Sequence, residues 1–420
     1  MQQRQRSEQT PLLLMALTIL IDFTGFGLVL PLLPFWAEHV GANAFDIGLL
    51  LTIYALAQFL FTPVLGSLSD RYGRRPVIVI SLVIEAISLA MTALAGNLPL
   101  LYLARFIGGL GASNIGSAQA VVADVTTRER RARGMGLIGA AIGVGFVIGP
   151  ALGGLLAPIG PALPFWVAMG FALANALLVV FFLPETRPIH AGTSGNTAVH
   201  NGPGLLIAGW RTLRRSPAIQ RLILINLLYM LAFTAMESVF ALFGQHYFGW
   251  GEQQIGYVFT YVGIIVIIMQ GGLVGQLARR LGEQRLLQLG LVLLAVGLIM
   301  LAFSTVAVLA LLALGILSIG DGAVTPMTST LLSFASPENA QGETLGLAQG
   351  IGGLGRIIGP LVAGSLYTLT NPSIPFLVGG MLSIGALLLA MSAFPIARPQ
   401  RTVRVEEIKG SSPVHSGKLR

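Results

Sequence analysis

Six charged-type residues lie deep inside long apolar runs of this chain, away from the run ends: Asp22, Glu85, Arg105, Glu237, Asp321 and Arg356. An ionisable group in hydrocarbon is costly unless it is paired or hydrated, so each is a functional candidate. The chemistry open to them is proton exchange. A carboxyl shut away in apolar surroundings favours its neutral form, and one that meets water or a cation favours its charged form. An acid that alternates between the two settings takes up a proton on one side and releases it on the other. The competing reading is structural, with acids and arginines paired only to hold helices in register. Arg105, always charged, either tunes an acid on a neighbouring helix or snorkels.

The elements that must position these groups are membrane helices. Mean hydropathy is +0.80, with 54% hydrophobic and only 10% charged residues. That is too little charge for soluble domains. Apolar runs long enough to cross about 30 Å of hydrocarbon occur at 11–36, 46–66, 76–95, 98–123, 134–156, 163–183, 218–243, 253–277, 285–304, 307–334, 344–368 and 374–394. The first is too long for a signal-peptide core and has no small-residue cleavage site, so it stays as a helix. At about 1.5 Å per residue, Asp22 and Glu85 lie deep from the basic side. Asp321 and Arg356 fall near mid-span, and Arg105 and Glu237 lie nearer the other side.

Charge fixes the orientation. Of 25 Lys and Arg residues, only Arg105 and Arg356 fall deep inside runs; Arg221 and Arg285 sit at run ends on the basic side, and the others all fall in segments on that one side of a twelve-span path. The positive-inside rule makes that side cytoplasmic, with both termini on it. The net charge of +8 is therefore topology and not a nucleic-acid footprint. Contact with anionic lipid is a modest further expectation. The expected location is a bacterial cytoplasmic (inner) membrane.

The chain also repeats itself. Gly145, Gly149, Pro150 and Gly153-Gly154 recur as Gly355, Gly359, Pro360 and Ala363-Gly364, an offset of 210 residues. The stretch from Gly66 recurs in weaker form from Gly275, at an offset of 209. Such a duplication places a site between two parallel halves. The expected domains are a six-helix bundle over 1–183, a cytoplasmic linker over 184–216, a second bundle over 217–395 and a disordered cytoplasmic tail over 396–420. The expected fold class is all-α integral membrane, twelve helices in two pseudo-symmetric six-helix bundles.

Other chemistry is poorly supplied. There are no cysteines. No phosphate-binding Gly-x-x-x-x-Gly-Lys pattern occurs, so nucleotide-driven pumping is not expected. The five histidines lie in loops or tails, and neither a metal nor any other cofactor is expected. No nucleophile is set beside a base, so the chain does not read as an enzyme.

The turn from Gly66 to Pro76 carries Asp70, Arg71, Gly73, Arg74 and Arg75. It reads either as a solvated turn or as a latch. In the latch, Asp70 meets a helix N-terminus of the other half, and Arg71 or Arg74 meets Asp124. Gly145, Gly149, Pro150 and Gly153 supply small-residue spacings for close helix contact. Gly108, Gly109, Ala112 and Gly116 follow Arg105 on one helical face. Phe23, Phe26, Tyr54, Phe233, Phe240 and Tyr257, with Gln58 and Asn226, either line an adaptable pocket or simply pack. Four interior acids against two arginines favour cationic or zwitterionic cargo.

These stretches resemble the major facilitator superfamily along the whole chain. The first half is similar to the 12-helix drug:proton antiporters, the tetracycline/proton antiporters above all. The resemblance rests on Asp22 to Pro34, Gly66 to Pro76, Leu100 to Gly109 and Gly145 to Gly154, with Phe248-Gly-Trp250 a weaker match. It implies export of a small amphipathic compound in exchange for protons. It also implies coupling by Asp22, Glu85 and Arg105, and gating by Asp70 and its arginines. Glu85 stands where the family pattern has aspartate, 285–304 lacks the family's acid, and Glu237, Asp321 and Arg356 lie outside that pattern. The partners expected are a small-molecule substrate, protons and lipid, with the protein a monomer. A nutrient, metabolite or lipid carrier and a non-transporting membrane receptor are the alternatives. The receptor would need a soluble domain, for which the chain has no room.

Overall fold

The computed structural model describes residues 2–126, 131–186, 216–337 and 341–392. Most of the segment expected as a linker, and all of the expected tail, lie outside the described residues.

In chain order the helices are α1 (Gln2–Val29), α2 (Leu33–His39), α3 (Ala44–Tyr72), α4 (Arg74–Ala93), α5 (Leu98–Gly111), α6 (Ile115–Val125), α7 (Arg131–Leu156) and α8 (Leu163–Phe182). The second set is α9 (Pro217–Phe248), α10 (Glu252–Ile268), α11 (Val274–Leu281), α12 (Glu283–Ala302), α13 (Ala307–Ala335), α14 (Gln341–Leu369) and α15 (Ile374–Met391). Local chemistry sets the ends. Asn43 and Asp46 cap α3 reciprocally, at 3.1 and 2.9 Å, satisfying backbone donors that the helix leaves free. Gly73 and Gly282 take φ of +103° and +85°, a region that favours glycine, and so turn the chain sharply at the arginine-rich ends of α3 and α11.

Among the described residues, eleven continuous helical stretches are long and apolar enough to cross a membrane, one of them running from Glu252 to Leu281 through α10 and α11. The twelfth crossing is composite. The run expected as one helix over 98–123 is α5 and α6 joined by a 3-10 turn, Ala112–Asn114. That turn rotates the helix face, so the expected glycine stripe stops short. Gly108, Gly109 and Gly111 pack closely, whereas Gly116 is exposed, with Thr62 Cγ2 at 3.9 Å from an added Cβ. The first run is likewise broken, because Pro31 and Pro34 end α1 at Val29 and start α2. A π-helical turn, Met269–Leu273, joins α10 to α11.

Small residues set the packing within each half. A Cβ on Gly145 would lie 2.9 Å from Thr24 N, and one on Gly149 2.6 Å from Thr24 O and 2.7 Å from Leu28 N. So α7 lies directly on the α1 backbone. In the second half, a Cβ on Gly355 would lie 3.1 Å from Leu231 N, and one on Gly359 3.1 Å from Leu231 O and 3.2 Å from Ala235 N. So α14 lies on α9 in the same way. Without a hydrophobic drive between helices in lipid, this close approach is what binds them.

The halves meet at the end away from the arginines. A Cβ on Gly256 of α10 would lie 2.7 Å from Gly154 Cα and from Pro150 O of α7. On the other flank, Gly48 of α3 abuts Pro360 of α14, and Gly364 abuts Ala44. Thr52 Oγ1 donates to Ile357 O at 2.7 Å, and Phe45 N to Thr368 Oγ1 at 3.1 Å. Towards the arginine-rich end the same four crossings stand bare. An added Cβ at Gly66, Gly136, Gly139, Gly271, Gly275, Gly346 or Gly350 would meet nothing within 4 Å. The halves are packed backbone to backbone at the one end, and at these glycines of the other end nothing lies against them.

Candidate functional site

Asp22 stands on α1 and Glu85 on α4. Their carboxyls meet in the interior of the first half, close enough for a side-chain hydrogen bond. Glu85 is pressed onto the glycines of α5, since a Cβ on Gly111 would lie 2.8 Å from Glu85 N. Arg105, on α5, is buried. Its Nη2 donates to Thr92 Oγ1 at 2.7 Å, and its guanidinium lies 5.9 Å from the Tyr54 ring centre. Arg105 Nε, Asp22 Oδ1 and Glu85 Oε2 are buried with no hydrogen-bond partner. Such orphaned atoms are rare and call for an explanation. A small cavity lined by Met15, Thr18, Ile19, Phe23, Ile78, Ala118 and Ile142 reaches Asp22.

Beside this group lies an aromatic cluster. Phe26 is 5.8 Å from both Tyr54 and Phe146, and Phe23 is 5.6 Å from Phe146. Phe146 follows the first glycine of the α7 stripe and was missed in the sequence, where the glycines alone drew notice. Gln58 is committed elsewhere: its Nε2 donates to Ala112 O at 3.1 Å, bracing the 3-10 turn.

In the second half Asp321, on α13, accepts a hydrogen bond from the Tyr229 hydroxyl, which also pairs with Thr325 Oγ1 at 2.9 Å. Tyr229 was also missed. Its only sequence signal is a hydroxyl midway along an apolar helix. Glu237 and Arg356 lie within electrostatic reach of each other. Arg356 is enclosed by the fold yet exposed, because it opens into a cavity. That cavity is lined also by Asn226, Met230, Thr325, Thr328, Ser329, Leu332, Leu345, Ala348, Gln349 and Gly352. Of the residues expected to line a pocket, Asn226 does so here, with Nδ2 donating to Ala348 O at 3.0 Å. Phe233 stacks near Tyr229, 6.1 Å between centres. Two others lie away from this cavity. Phe240 is fully buried among Trp250 and Phe259, a packing position. Tyr257 is exposed near the sealed end, with its hydroxyl 3.2 Å from Gln253 Nε2.

At the arginine-rich turn, Arg74 is buried. It pairs with Asp70 Oδ1 at 2.8 Å and with Asp124 Oδ2 at 3.2 Å, and reaches Ser69 Oγ at 3.2 Å. Arg71 lies over the Tyr72 ring, and Arg75 Nη2 donates to Val180 O. Glu185, which the sequence reading passed over, accepts from Arg74 N at 2.8 Å and Arg75 N at 3.1 Å. A carboxylate there satisfies the free donors at the start of α4 and the positive end of its dipole.

Comparison with known proteins agrees with this architecture. The family model described as Major Facilitator Superfamily matches residues 15–349 and 271–419. The chain is 32% identical over 392 residues to "Multidrug resistance protein 2" of Bacillus subtilis, covering 91% of this chain and 95% of that one. It is 31% identical over 371 residues to "Tetracycline resistance protein, class B" of Escherichia coli, covering 87% and 90%. Among solved structures, the human organic anion transporter MFSD10 (TETRAN) superposes with a TM-score of 0.67 at 26% identity, covering 91% of this chain and 99% of that one. The nucleoside transporter NupG superposes at 0.73 with 14% identity, covering 91% and 98%, a likeness of fold alone.

Proposed function

The chain belongs to the major facilitator superfamily, and from that membership and its interior carboxyls we propose that it is a proton-coupled exporter of small amphipathic, drug-like compounds. The observation that carries this reading is the meeting of Asp22 and Glu85. Two carboxylates at contact repel, and a proton held between them turns the repulsion into a hydrogen bond. When that proton leaves, Arg105, whose Nε is free and whose charge already acts on Glu85, is a partner for the uncovered carboxylate. Loss of a proton therefore becomes a change of partner between α4 and α5, which a rocking motion of the halves can use. The seal at one end and the bare glycines at the other are one of the two arrangements such a motion needs.

The names of the relatives, multidrug and tetracycline resistance proteins, support drug-like cargo and export. On this reading the arginine-rich side is cytoplasmic. The open cavity loads from within, in the cytoplasmic membrane of a bacterium. The exporter works as a monomer of two bundles, over 1–183 and 217–395, without cofactor or enzymatic step. Asp70, Arg74 and Asp124 hold the turn in the open arrangement, and Gly73 lets it bend. Asp321 and Glu237 are a second set of acids in the other half.

Purified protein reconstituted with tetracycline or ethidium tests this. A pH gradient drives uptake into inside-out liposomes, and Asp22→Asn abolishes that uptake while leaving expression intact. Full gradient-driven transport by Asp22→Asn refutes the coupling assignment.

A further inference from the structure

We propose that Arg356 and the polar wall beside it form an anion subsite, which takes a carboxylate or similar negatively charged oxygen group of the cargo; this rests on the cavity being the cargo's binding chamber. Among the described residues, Arg356 is the only charged one that lines the cavity. Around it stand hydroxyls of Thr325, Thr328 and Ser329 and amides of Asn226 and Gln349. Among the described residues Arg356 makes no hydrogen bond and no ion pair. The acids of its own half are not on it. Asp321 is engaged with Tyr229, and Glu237 acts on Arg356 only through space.

An arginine in this position presents a fork of donors to the cavity. The complement of that fork is a planar oxyanion, held by two parallel hydrogen bonds. The Gln349 amide on the same wall is a further donor for the same oxygens. The interior acids of the whole chain favour cationic or zwitterionic cargo, but Asp22 and Glu85 belong to the other half and face each other. The lining of the chamber itself carries one positive charge and no negative one. A cargo with an apolar body suits Met230, Leu332 and Leu345 on the same wall.

The test is equilibrium binding to full-length protein in detergent at one pH. The probes are a naphthalene carboxylate and the matching carboxamide, which share an apolar body and differ in charge. Wild type is expected to bind the carboxylate about tenfold more tightly, the margin of a charge-assisted fork. In Arg356→Gln that margin disappears while carboxamide affinity stays within about twofold, and Arg356→Lys, which keeps the charge but loses the fork, retains part of it. Wild type without a preference for the carboxylate overturns the proposal. So does Arg356→Gln that keeps the preference or weakens both probes alike. Melting of each variant beside wild type separates a folded protein from a damaged one, and the wild-type preference tests the subsite even if no variant folds. No gradient enters the measurement, so a failure of proton coupling leaves this result standing, and the reverse.

Discussion

The two halves are built alike and charged differently. The glycine contacts give their register: Gly145 and Gly149 rest on Thr24 and Leu28, and Gly355 and Gly359 rest on Leu231 and Ala235. Thr24 therefore answers to Leu231, and by the same step Asp22 answers to Tyr229 and Phe26 to Phe233. Asp22 meets an acid on α4, whereas Tyr229 meets an acid on α13. The residue after the first glycine differs as well. It is Phe146 in an aromatic cluster in one half and Arg356 in an open cavity in the other. Where a Cβ has no room the duplicated pattern persists, and where a side chain faces the interior space it has diverged. A shared frame thus holds an acid pair in one half and an acid–phenol pair with a free cation in the other.

The sharpest way to break this comparison is to disturb the two answering positions. Asp22→Asn is expected to lower gradient-driven transport by about a hundredfold, because it removes the titrating group of the pair. Tyr229→Phe deletes one hydroxyl to Asp321, a bond worth about 0.5–1.5 kcal/mol. It is expected to lower transport by about two- to tenfold. Equal losses measured in the same liposomes would mean that the halves share the coupling work. The frame is tested next. Gly149→Val and Gly359→Val each force a side chain into backbone, at about 1–3 kcal/mol, and both are expected to lower the melting temperature in detergent by similar amounts. Gly139→Val, where nothing lies within 4 Å, is expected to leave it unchanged.

Much of this was legible in the sequence, and the exceptions have physical causes. Hydropathy and the one-sided arginines gave the crossings because the bilayer constrains every residue of a span at once. The break at Ala112–Asn114 was hidden because its residues are as apolar and small as their neighbours. Asp22, Glu85, Arg105 and Arg356 stood out as charges in hydrocarbon, but which charge faces which depends on helix rotation, and that depends on glycine contacts across the whole half. Tyr229 and Phe146 are ordinary membrane-helix residues whose place beside Asp321 and Phe26 arises from long-range packing. Glu185 was passed over because its partner is the start of a helix more than a hundred residues earlier.

That cap sharpens the comparison at the arginine-rich end. Gly73 and Gly282 turn alike, but α4 is capped by the distant Glu185, while α12 carries its own Glu283 in the first turn. Glu185→Ala leaves backbone donors of α4 unmet and releases the end of α8. It is expected to cost about 1–2 kcal/mol. Glu283→Ala removes a local acid from the dipole and is expected to cost about 0.3–1 kcal/mol. Thermal melts of the two variants side by side measure the difference. An equal shift would mean that Glu185 acts as a local charge and not as a tie.

The smallest effect is expected at the sealed end, where Glu38 of α2 meets Gln245 of α9 across the halves. Partial desolvation lifts the Glu38 carboxyl above the usual glutamate value, and this outweighs the Gln245 hydrogen bond and the nearby His39. The sealed form therefore holds the Glu38 proton more firmly than an opened form, in which water restores the ordinary value. Acid favours the seal, and that contribution is lost as pH rises from the ordinary value through the raised one. Glu38 is exposed on one side, so solvent screens the effect and the shift in population is expected to be modest. Distances between spin labels on α3 and α14 should show the seal loosening as pH rises above the ordinary glutamate range in wild type. Glu38→Gln, neutral throughout, should hold it at its acid-side tightness, and a wild-type seal indifferent to pH would remove Glu38 from the account of that end.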